Sequence, residues 1–206
     1  PDVGRYVERF ESESREVFTL RDQVLNILAL QPGMHVADVG AGTGIYTIPM
    51  ARAVGPDGAV FAVDIAPNFL NFIAGRAQQE GLTNVCTVLG TQDSTQLPPK
   101  TLDLVFICDT YHHFEDPAAV MASIHRAMKP GGRLVIIDFD RREGVSSPFV
   151  LEHLRADAKT FIREISEAGF RPIDMERIDL PPFEENFMAI FVRETQPEDR
   201  DSGNQR

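Results

Sequence analysis

The sequence predicts an α/β fold, a mostly parallel sheet with helices on both of its faces. After residue 34, strand-like apolar runs alternate with helical stretches, and no internal repeat is visible. The last two strand-like runs are joined by a link too short for a crossover helix, so we expect them to pair antiparallel. The 206 residues, 43% of them hydrophobic, suit one domain with a sizeable core.

Five strands are predicted in the alternating part of the chain, at residues 35–39, 59–63, 85–89, 102–108 and 133–139. A helix of about residues 44–53 follows the first strand. Near the end, Asp157 is expected to cap a helix over 158–168. The two final strand-like runs lie near residues 173–178 and 187–192.

Capping residues fix the other helices. Pro67 suits the first turn of a helix that should end at Gly81. Asp116 and Pro117 form an N-cap and N1 pair that begins the next helix. That helix is expected to end at the Lys-Pro-Gly-Gly run of residues 129–132.

The chain divides into three predicted parts. Residues 1–31 hold two amphipathic helical stretches, which we expect to form a helical lid over the ligand site. Residues 32–193 form the α/β domain, and the polar residues 194–206 form a disordered tail. The aromatic and basic side chains of the first part could cover a cationic ligand, but an ordinary packing helix explains them as well. They are Tyr6, Arg9, Phe10 and Arg15.

Charge and hydropathy exclude some partners. The net charge is −11, and the positive residues are mostly scattered arginines, which argues against nucleic acid as a partner. No apolar run approaches the roughly 18 residues of a membrane span. We expect a cytoplasmic protein, although the chain starts at Pro1 and an upstream targeting segment stays an open alternative. The oligomeric state is also left open.

The run of residues 36–44 predicts a buried strand that ends at a turn with Gly40, Gly42 and Gly44, after which a helix begins. A strand, a glycine-rich turn and a helix N-terminus form a cradle for a nucleotide-type cofactor. The spacing differs from the G-x-G-x-x-G turn of dinucleotide-binding proteins, because Ile45 stands where the third glycine would fall.

Two carboxylates flank this turn, Asp38 inside the first strand and Asp64 at the end of the second. A pyrophosphate disfavours a nearby carboxylate, whereas a cationic amino-acid end can use one, as in S-adenosylmethionine (SAM). Asp38 should contact that end directly or through water, unless it only caps nearby amides. Asp64 should accept ribose hydroxyls, with Ile65 packing against the adenine. The turn itself should contribute Gly40, Ala41, Gly42, Thr43 and Gly44.

Four segments in this order resemble the class I SAM-dependent methyltransferases, at residues 36–44, 60–65, 102–109 and 129–134. Within that class, the chain is similar to the ubiquinone/menaquinone C-methyltransferase-like group. The Asp-Thr-Tyr-His-His-Phe run of residues 109–114 resembles an uncharacterised subgroup of it. The resemblance implies a Rossmann-like three-layer sandwich with seven strands in the order 3-2-1-4-5-7-6, the seventh antiparallel. It also makes residues 32–193 a SAM-binding methyltransferase domain.

The segment after the third strand departs from the family pattern. The family often has a Gly-Asp pair there, with the acid near the adenine amino group. This chain has Thr91 in that place and Asp93 two residues later. Either Asp93 reaches the adenine, or Thr91 and Gln92 do so through backbone amides, or the segment is a plain loop.

The end of the fourth strand carries the candidate catalytic residues Asp109, Tyr111 and His112. Ligands of open α/β sheets bind outside the carboxyl ends of the strands. Asp109 could also line the methionine end of the cofactor, and His112 could take a proton from the acceptor. The alternative is a histidine that only caps or packs beneath the next helix.

No metal site is predicted. Asp109, His112, His113 and His153 are ligand types, but adjacent histidines at a strand end point to opposite faces and rarely share an ion.

The sequence therefore predicts methyl transfer from SAM to a small or medium-sized acceptor, by in-line displacement with histidine-assisted deprotonation where the acceptor needs it. Two alternatives stay open. One is a SAM-binding sensor or scaffold without catalysis. The other, an NAD-linked oxidoreductase, is disfavoured by the missing third glycine.

Overall fold

A computed structural model describes residues 2–176, 178–195 and 199. Its strands are β1 (His35–Val39), β2 (Ala59–Asp64), β3 (Val85–Leu89), β4 (Leu102–Cys108), β5 (Met128–Phe139), β6 (Phe170–Pro172) and β7 (Asn186–Arg193). They form one seven-stranded sheet in the order β3-β2-β1-β4-β5-β7-β6. Strands β1 to β5 run parallel, and β7 is antiparallel to both β5 and β6. The predicted fold class, strand order and reversed seventh strand are confirmed.

The helices of the described residues lie before and between these strands. They are α1 (Val3–Phe10), α2 (Glu16–Thr19), α3 (Arg21–Leu28), α4 (Thr47–Val54), α5 (Pro67–Gln79), α6 (Pro117–Ala127), α7 (Pro148–His153) and α8 (Ala158–Glu167). A single 3-10 turn covers Tyr111–His113.

The alternation of side chains along the strands creates two buried layers. In β4, Val105 and Ile107 belong to a core that includes residues of α6 and α8. Leu104 and Phe106 point into a second core shared with residues of α3 and α4. Apolar burial on both faces explains why the central strands read as continuous hydrophobic runs.

Most predicted element boundaries hold. Strands β1, β3 and β4 have the predicted bounds, and β2 continues one residue further, to Asp64. The side chain of Asp116 accepts the N–H of Ala119 and caps α6 as expected. Asp157 likewise accepts the N–H of Thr160 and caps α8. Helix α4 begins at Thr47, because the residues before it complete the turn after the glycines.

Two predictions at the sheet are wrong. Helix α6 ends at Ala127 and β5 already begins at Met128, so the Pro-Gly-Gly run lies within an irregular β5, where Gly131 has a φ of 77°. The sixth strand is not near residues 173–178 but at Phe170–Pro172. It is a three-residue edge strand, and a proline is tolerated at a sheet edge. Ile173 and Ile178 instead pack against the second core.

The N-terminal residues form α1, α2 and α3 where two helical stretches were predicted. Of the predicted disordered tail, only residues 194, 195 and 199 are among those described. Among the described residues, no helix is long and apolar enough to cross a membrane.

Candidate functional site

A cavity of about 680 Å³ opens at the carboxyl ends of the parallel strands. Its walls come from the ends of β1, β2, β4 and β5 and from the segment after β3. Residues of α1 and of the segment up to α2 close it from above. The cavity lies at the switch point of the sheet, between β1 and β4. Strands β2 and β3 lie on one side of this point, and β5 follows β4 on the other. Open α/β sheets bind ligands at such a point.

The glycine turn follows β1 and forms the floor of the cavity. The N–H groups of Gly40 and Ala41 both donate to the carbonyl of Val63. Gly40 has a φ of 76°, and a Cβ there would lie 2.2 Å from Oγ1 of Thr110. At Gly42, with a φ of 54°, a Cβ would lie 3.4 Å from the ring of Phe10. Gly40 therefore has no room for a side chain, and at Gly42 a side chain would be strained by the positive φ. Both positions leave bare backbone facing the cavity.

Gly44 was predicted to contact the cofactor, but it lies away from the cavity. It does not line the cavity, and a Cβ there would meet Ile73 of α5 at 2.9 Å. Its small size serves the packing of the turn against α5, so a cofactor contact at Gly44 is not supported.

Asp38 is buried below the turn and lines the cavity. The hydroxyl of Thr47 in α4 donates to its Oδ2 at 2.6 Å. Burial raises the pKa of Asp38 to about 7, and the charge of Asp64 adds to this effect. A buried carboxylate with a raised pKa gains from a cationic ligand group, because the ligand charge would replace lost solvation.

Asp64 and Ile65 lie at the end of β2, both on the cavity wall. The N–H of Gly42 donates to Oδ2 of Asp64 at 3.0 Å, so this carboxylate also fixes the turn. Burial raises the pKa of Asp64. Ile65 is 55% exposed although it is apolar, which leaves a surface for a flat ring.

The hydroxyl of Thr43 is buried and has no hydrogen-bond partner within the described part of the chain.

Of the three residues predicted to contact the cofactor after β3, two lie at the cavity. Thr91 and Gln92 line the cavity, but Asp93 does not. The hydroxyl of Thr91 donates to Oδ1 of Asp93 at 2.6 Å. Asp93 therefore shapes the loop and does not face the cavity, whereas Thr91 and Gln92 do. A contact of Thr91 and Gln92 with the adenine stays a prediction, beside the alternative of a plain loop.

Asp109 follows β4 and has a φ of 46°, which is unusual for a residue with a side chain. Its carboxylate pairs with Arg15 of the N-terminal segment and accepts an N–H of the Asn186 side chain at 2.6 Å. Burial raises the pKa of Asp109 to about 6, against the opposing effect of the Arg15 charge. Asp109 lines the cavity and joins three parts of the chain there.

His112, His113 and His153 meet at the far side of the same cavity. Nδ1 of His112 lies 2.6 Å from Oδ1 of the fully buried Asp138, the last residue but one of β5. Nε2 of His112 lies 3.2 Å from Nε2 of His153 in α7. The rings of His112 and His113 have centroids 3.9 Å apart.

The prediction assumed that His112 and His113 end a strand and therefore point to opposite faces, and this assumption is wrong. Residues 111–113 form a 3-10 turn, not a strand end, so adjacent side chains do not alternate between opposite faces. Burial lowers the pKa of His113 to about 4, and the charges of His112 and His153 lower it further. Burial and His112 also lower the pKa of His153.

Tyr111 is a correction to the predicted site. It is fully buried, does not line the cavity, and donates its hydroxyl to Glu164 of α8 at 3.0 Å. Burial raises the pKa of its hydroxyl. The 3-10 turn places the ring of Tyr111 against Phe161 and away from the cavity.

Several residues that build the site were not singled out from the sequence. Asp138 is an acid at a strand end, as Asp38 is, and this pattern could have found it. The pair Ser147-Pro148 is the same capping signal as Asp116-Pro117 and begins α7, which carries His153. Nothing local in the sequence indicates that Asn186 reaches Asp109.

Comparison with known proteins shows the family of the chain. The family described as "Methyltransferase domain" matches residues 30–185. The chain belongs to this methyltransferase family. A demethylmenaquinone methyltransferase of Geobacillus stearothermophilus is 32% identical over 139 residues, which are 66% of this chain and 59% of that protein. The chain spans about half the length of other curated relatives of that name.

Solved structures show the same fold. A SAM-dependent methyltransferase from Aquifex aeolicus has a TM-score of 0.78 and 25% identity, with 94% of this chain and 99% of that chain covered. A phosphoethanolamine N-methyltransferase from Haemonchus contortus, solved with SAM, has a TM-score of 0.66 at 19% identity and covers 95% of this chain and 60% of its own. The predicted family, its Rossmann-like fold and SAM as the cofactor of the class are confirmed.

Proposed function

We propose that this methyltransferase domain transfers the methyl group of SAM to a small or medium-sized acceptor bound beside His112. One observation carries the proposal. The glycine turn, with Asp38 and Asp64 on either side of it, and the histidine cluster line one continuous cavity. Cofactor and acceptor can therefore meet in the same enclosed space.

The turn and the two carboxylates beside it fit SAM in four respects. Gly40 and Gly42 allow close approach to the backbone, and the hydroxyl of Thr43 is a buried group that lacks a partner among the described residues. Asp38 offers a carboxylate to a cationic ammonium group. Asp64 offers one to ribose hydroxyls, beside the apolar surface of Ile65.

The acceptor side combines a base with apolar walls. Asp138 fixes one nitrogen of His112, and in the tautomer with hydrogen on Nδ1 the Nε2 atom carries a lone pair that can accept a proton. Phe139, Phe149 and Val150 also line the cavity. An acceptor with an apolar or aromatic body and one ionisable atom suits such a surface.

SAM supplies a sulfonium leaving group, so the protein mainly has to align the acceptor with the methyl carbon. His112 is needed only where the acceptor must lose a proton. The names of the curated relatives make a quinol-type ring the first acceptor to test.

We also propose that residues 1–31 act as a lid on the domain of residues 32–193. Three contacts support this role. Arg15 pairs with Asp109, Glu16 accepts the N–H groups of residues 184 and 185 at 2.8 and 3.0 Å, and Tyr46 donates to the carbonyl of Val17 at 2.6 Å. These contacts hold the segment across the cavity mouth.

The test is incubation with methyl-labelled SAM and a panel of phenol, quinol, thiol and amine acceptors. The proposal expects labelled product with at least one of them and none in reactions without protein. SAM binding without any product would instead favour a sensor or scaffold.

A further inference from the structure

We propose that His112, His113 and His153 form a binding site for a divalent transition metal, of which Zn²⁺ suits the three imidazoles best. One nitrogen from each side chain can be chosen so that all of them lie within 4.8 Å of one another. The cluster comes from the 3-10 turn and from α7, two segments separated by about 40 residues.

Distances support coordination. Two imidazole nitrogens on a tetrahedral Zn²⁺ lie about 3.3 Å apart, because each Zn–N bond is about 2.0–2.1 Å long. The Nε2 atoms of His112 and His153 are 3.2 Å apart. One nitrogen of the exposed His113 lies within 4.8 Å of a nitrogen of each of the other two rings, so rotation of its side chain would have to complete the set.

The surroundings also resemble those of metal sites. Metal-bound histidines commonly donate their other ring nitrogen to a carboxylate, which fixes the ring and its tautomer. Asp138 has this relation to Nδ1 of His112 at 2.6 Å and is itself fully buried. All three histidines line the cavity. Three protein ligands would leave a fourth position, and catalytic zinc sites keep such a position open.

The role of the ion rests on the proposed function. An acceptor hydroxyl or thiol in the fourth position would lose its proton to solvent, because the ion lowers its pKa. The acceptor lone pair then forms the new bond to the methyl carbon, and the electrons of the broken carbon–sulfur bond stay on sulfur. The products are methylated acceptor, S-adenosylhomocysteine and one proton. In the metal-free protein, His112 keeps Nε2 available as a base.

A direct hydrogen bond between His112 and His153 also explains their distance, but it does not need His113. The test therefore uses the full chain without a histidine tag, freed of metal by a chelator. Zn²⁺ is titrated in competition with a coloured chelator, and Co²⁺ is added separately to record its visible spectrum.

We expect one Zn²⁺ per chain and a tetrahedral Co²⁺ spectrum. His113→Ala and His153→Ala should each weaken Zn²⁺ binding at least about tenfold, and Asp138→Asn by about 10- to 100-fold. His35→Gln, at the opposite end of β1, is the control and should bind as the unchanged protein does. No stoichiometric binding, or equal loss in the control, would overturn the proposal.

Calorimetry of SAM on the same metal-free samples separates the two proposals. SAM binding without a metal site overturns only the metal site. A metal site in a protein that does not bind SAM overturns the proposed function instead.

Discussion

Asp138 holds His112 at two points. Its Oδ1 lies 2.6 Å from Nδ1 of the ring, and its Oδ2 accepts the backbone N–H of His112 at 3.1 Å. One buried carboxylate at the end of β5 therefore fixes both the ring and the start of the 3-10 turn. The acceptor side of the cavity depends on this pair.

Asp138→Asn tests that dependence. An amide that donates to Nδ1 would move the imidazole hydrogen to Nε2 and remove the base or the ligand atom there. We expect turnover to fall by about 100-fold or more, with SAM affinity changed less than about twofold. Asp140→Asn, two residues further on, is the control. Full turnover in Asp138→Asn would show that the pair has only a structural role.

Asp38 predicts a pH dependence of SAM binding. Its pKa in the ligand-free protein is raised to about 7, and a cationic ligand group would lower it again. Below pH 7, binding should release a proton, so the affinity should fall by about tenfold per pH unit. 5′-Methylthioadenosine lacks the amino-acid end, and calorimetry should show no such slope for it. Equal slopes for both ligands would remove Asp38 from this role.

The same pKa predicts the stability of the ligand-free protein. The folded state binds more protons at Asp38 than the unfolded state does between the ordinary value of 3.8 and about 7. The contribution of Asp38 to the free energy of unfolding is therefore largest below pH 3.8 and is lost as the pH rises to about 7. We expect Asp38→Asn to unfold at higher urea than the unchanged protein at pH 8. A lower midpoint at pH 8 would contradict this.

Arg15→Gln tests the lid. The variant leaves the buried carboxylate of Asp109 without its ion-pair partner, and the pKa of Asp109 should rise above about 6. We expect faster limited proteolysis between residues 11 and 20 and weaker SAM binding by about tenfold. Arg5→Gln, on the exposed part of α1, is the control. Unchanged proteolysis would mean that Arg15 does not hold the segment.

The glycine turn could be predicted because its chemistry is local. Asp38, Gly40 and Gly42 stand within five residues, and the buried strand before the turn was predicted from its continuous apolar run with the bounds that the structure has. Asp64 followed from the same logic at the next strand. These residues line the cavity where the sequence placed them.

The acceptor side could not be predicted as well, because it is assembled from distant segments. Asp138, His153 and Asn186 reach His112 or Asp109 only through the sheet order and the reversed β7. Tyr111 was predicted at the cavity, but a 3-10 turn directs its ring towards α8. No pattern in the sequence indicated this turn. The short β6 was missed because three residues give no alternating pattern.

Calorimetric titration of SAM into the unchanged protein and into Gly42→Val tests the central claim most directly. A valine at this φ of 54° would be strained and would crowd Phe10, in the turn that is proposed to hold the cofactor. Gly75→Val, where a Cβ meets nothing within 4 Å, is the control. We predict one SAM per chain in the unchanged protein and in Gly75→Val, and no measurable binding in Gly42→Val. Micromolar binding retained by Gly42→Val, or none in the unchanged protein, would contradict the account.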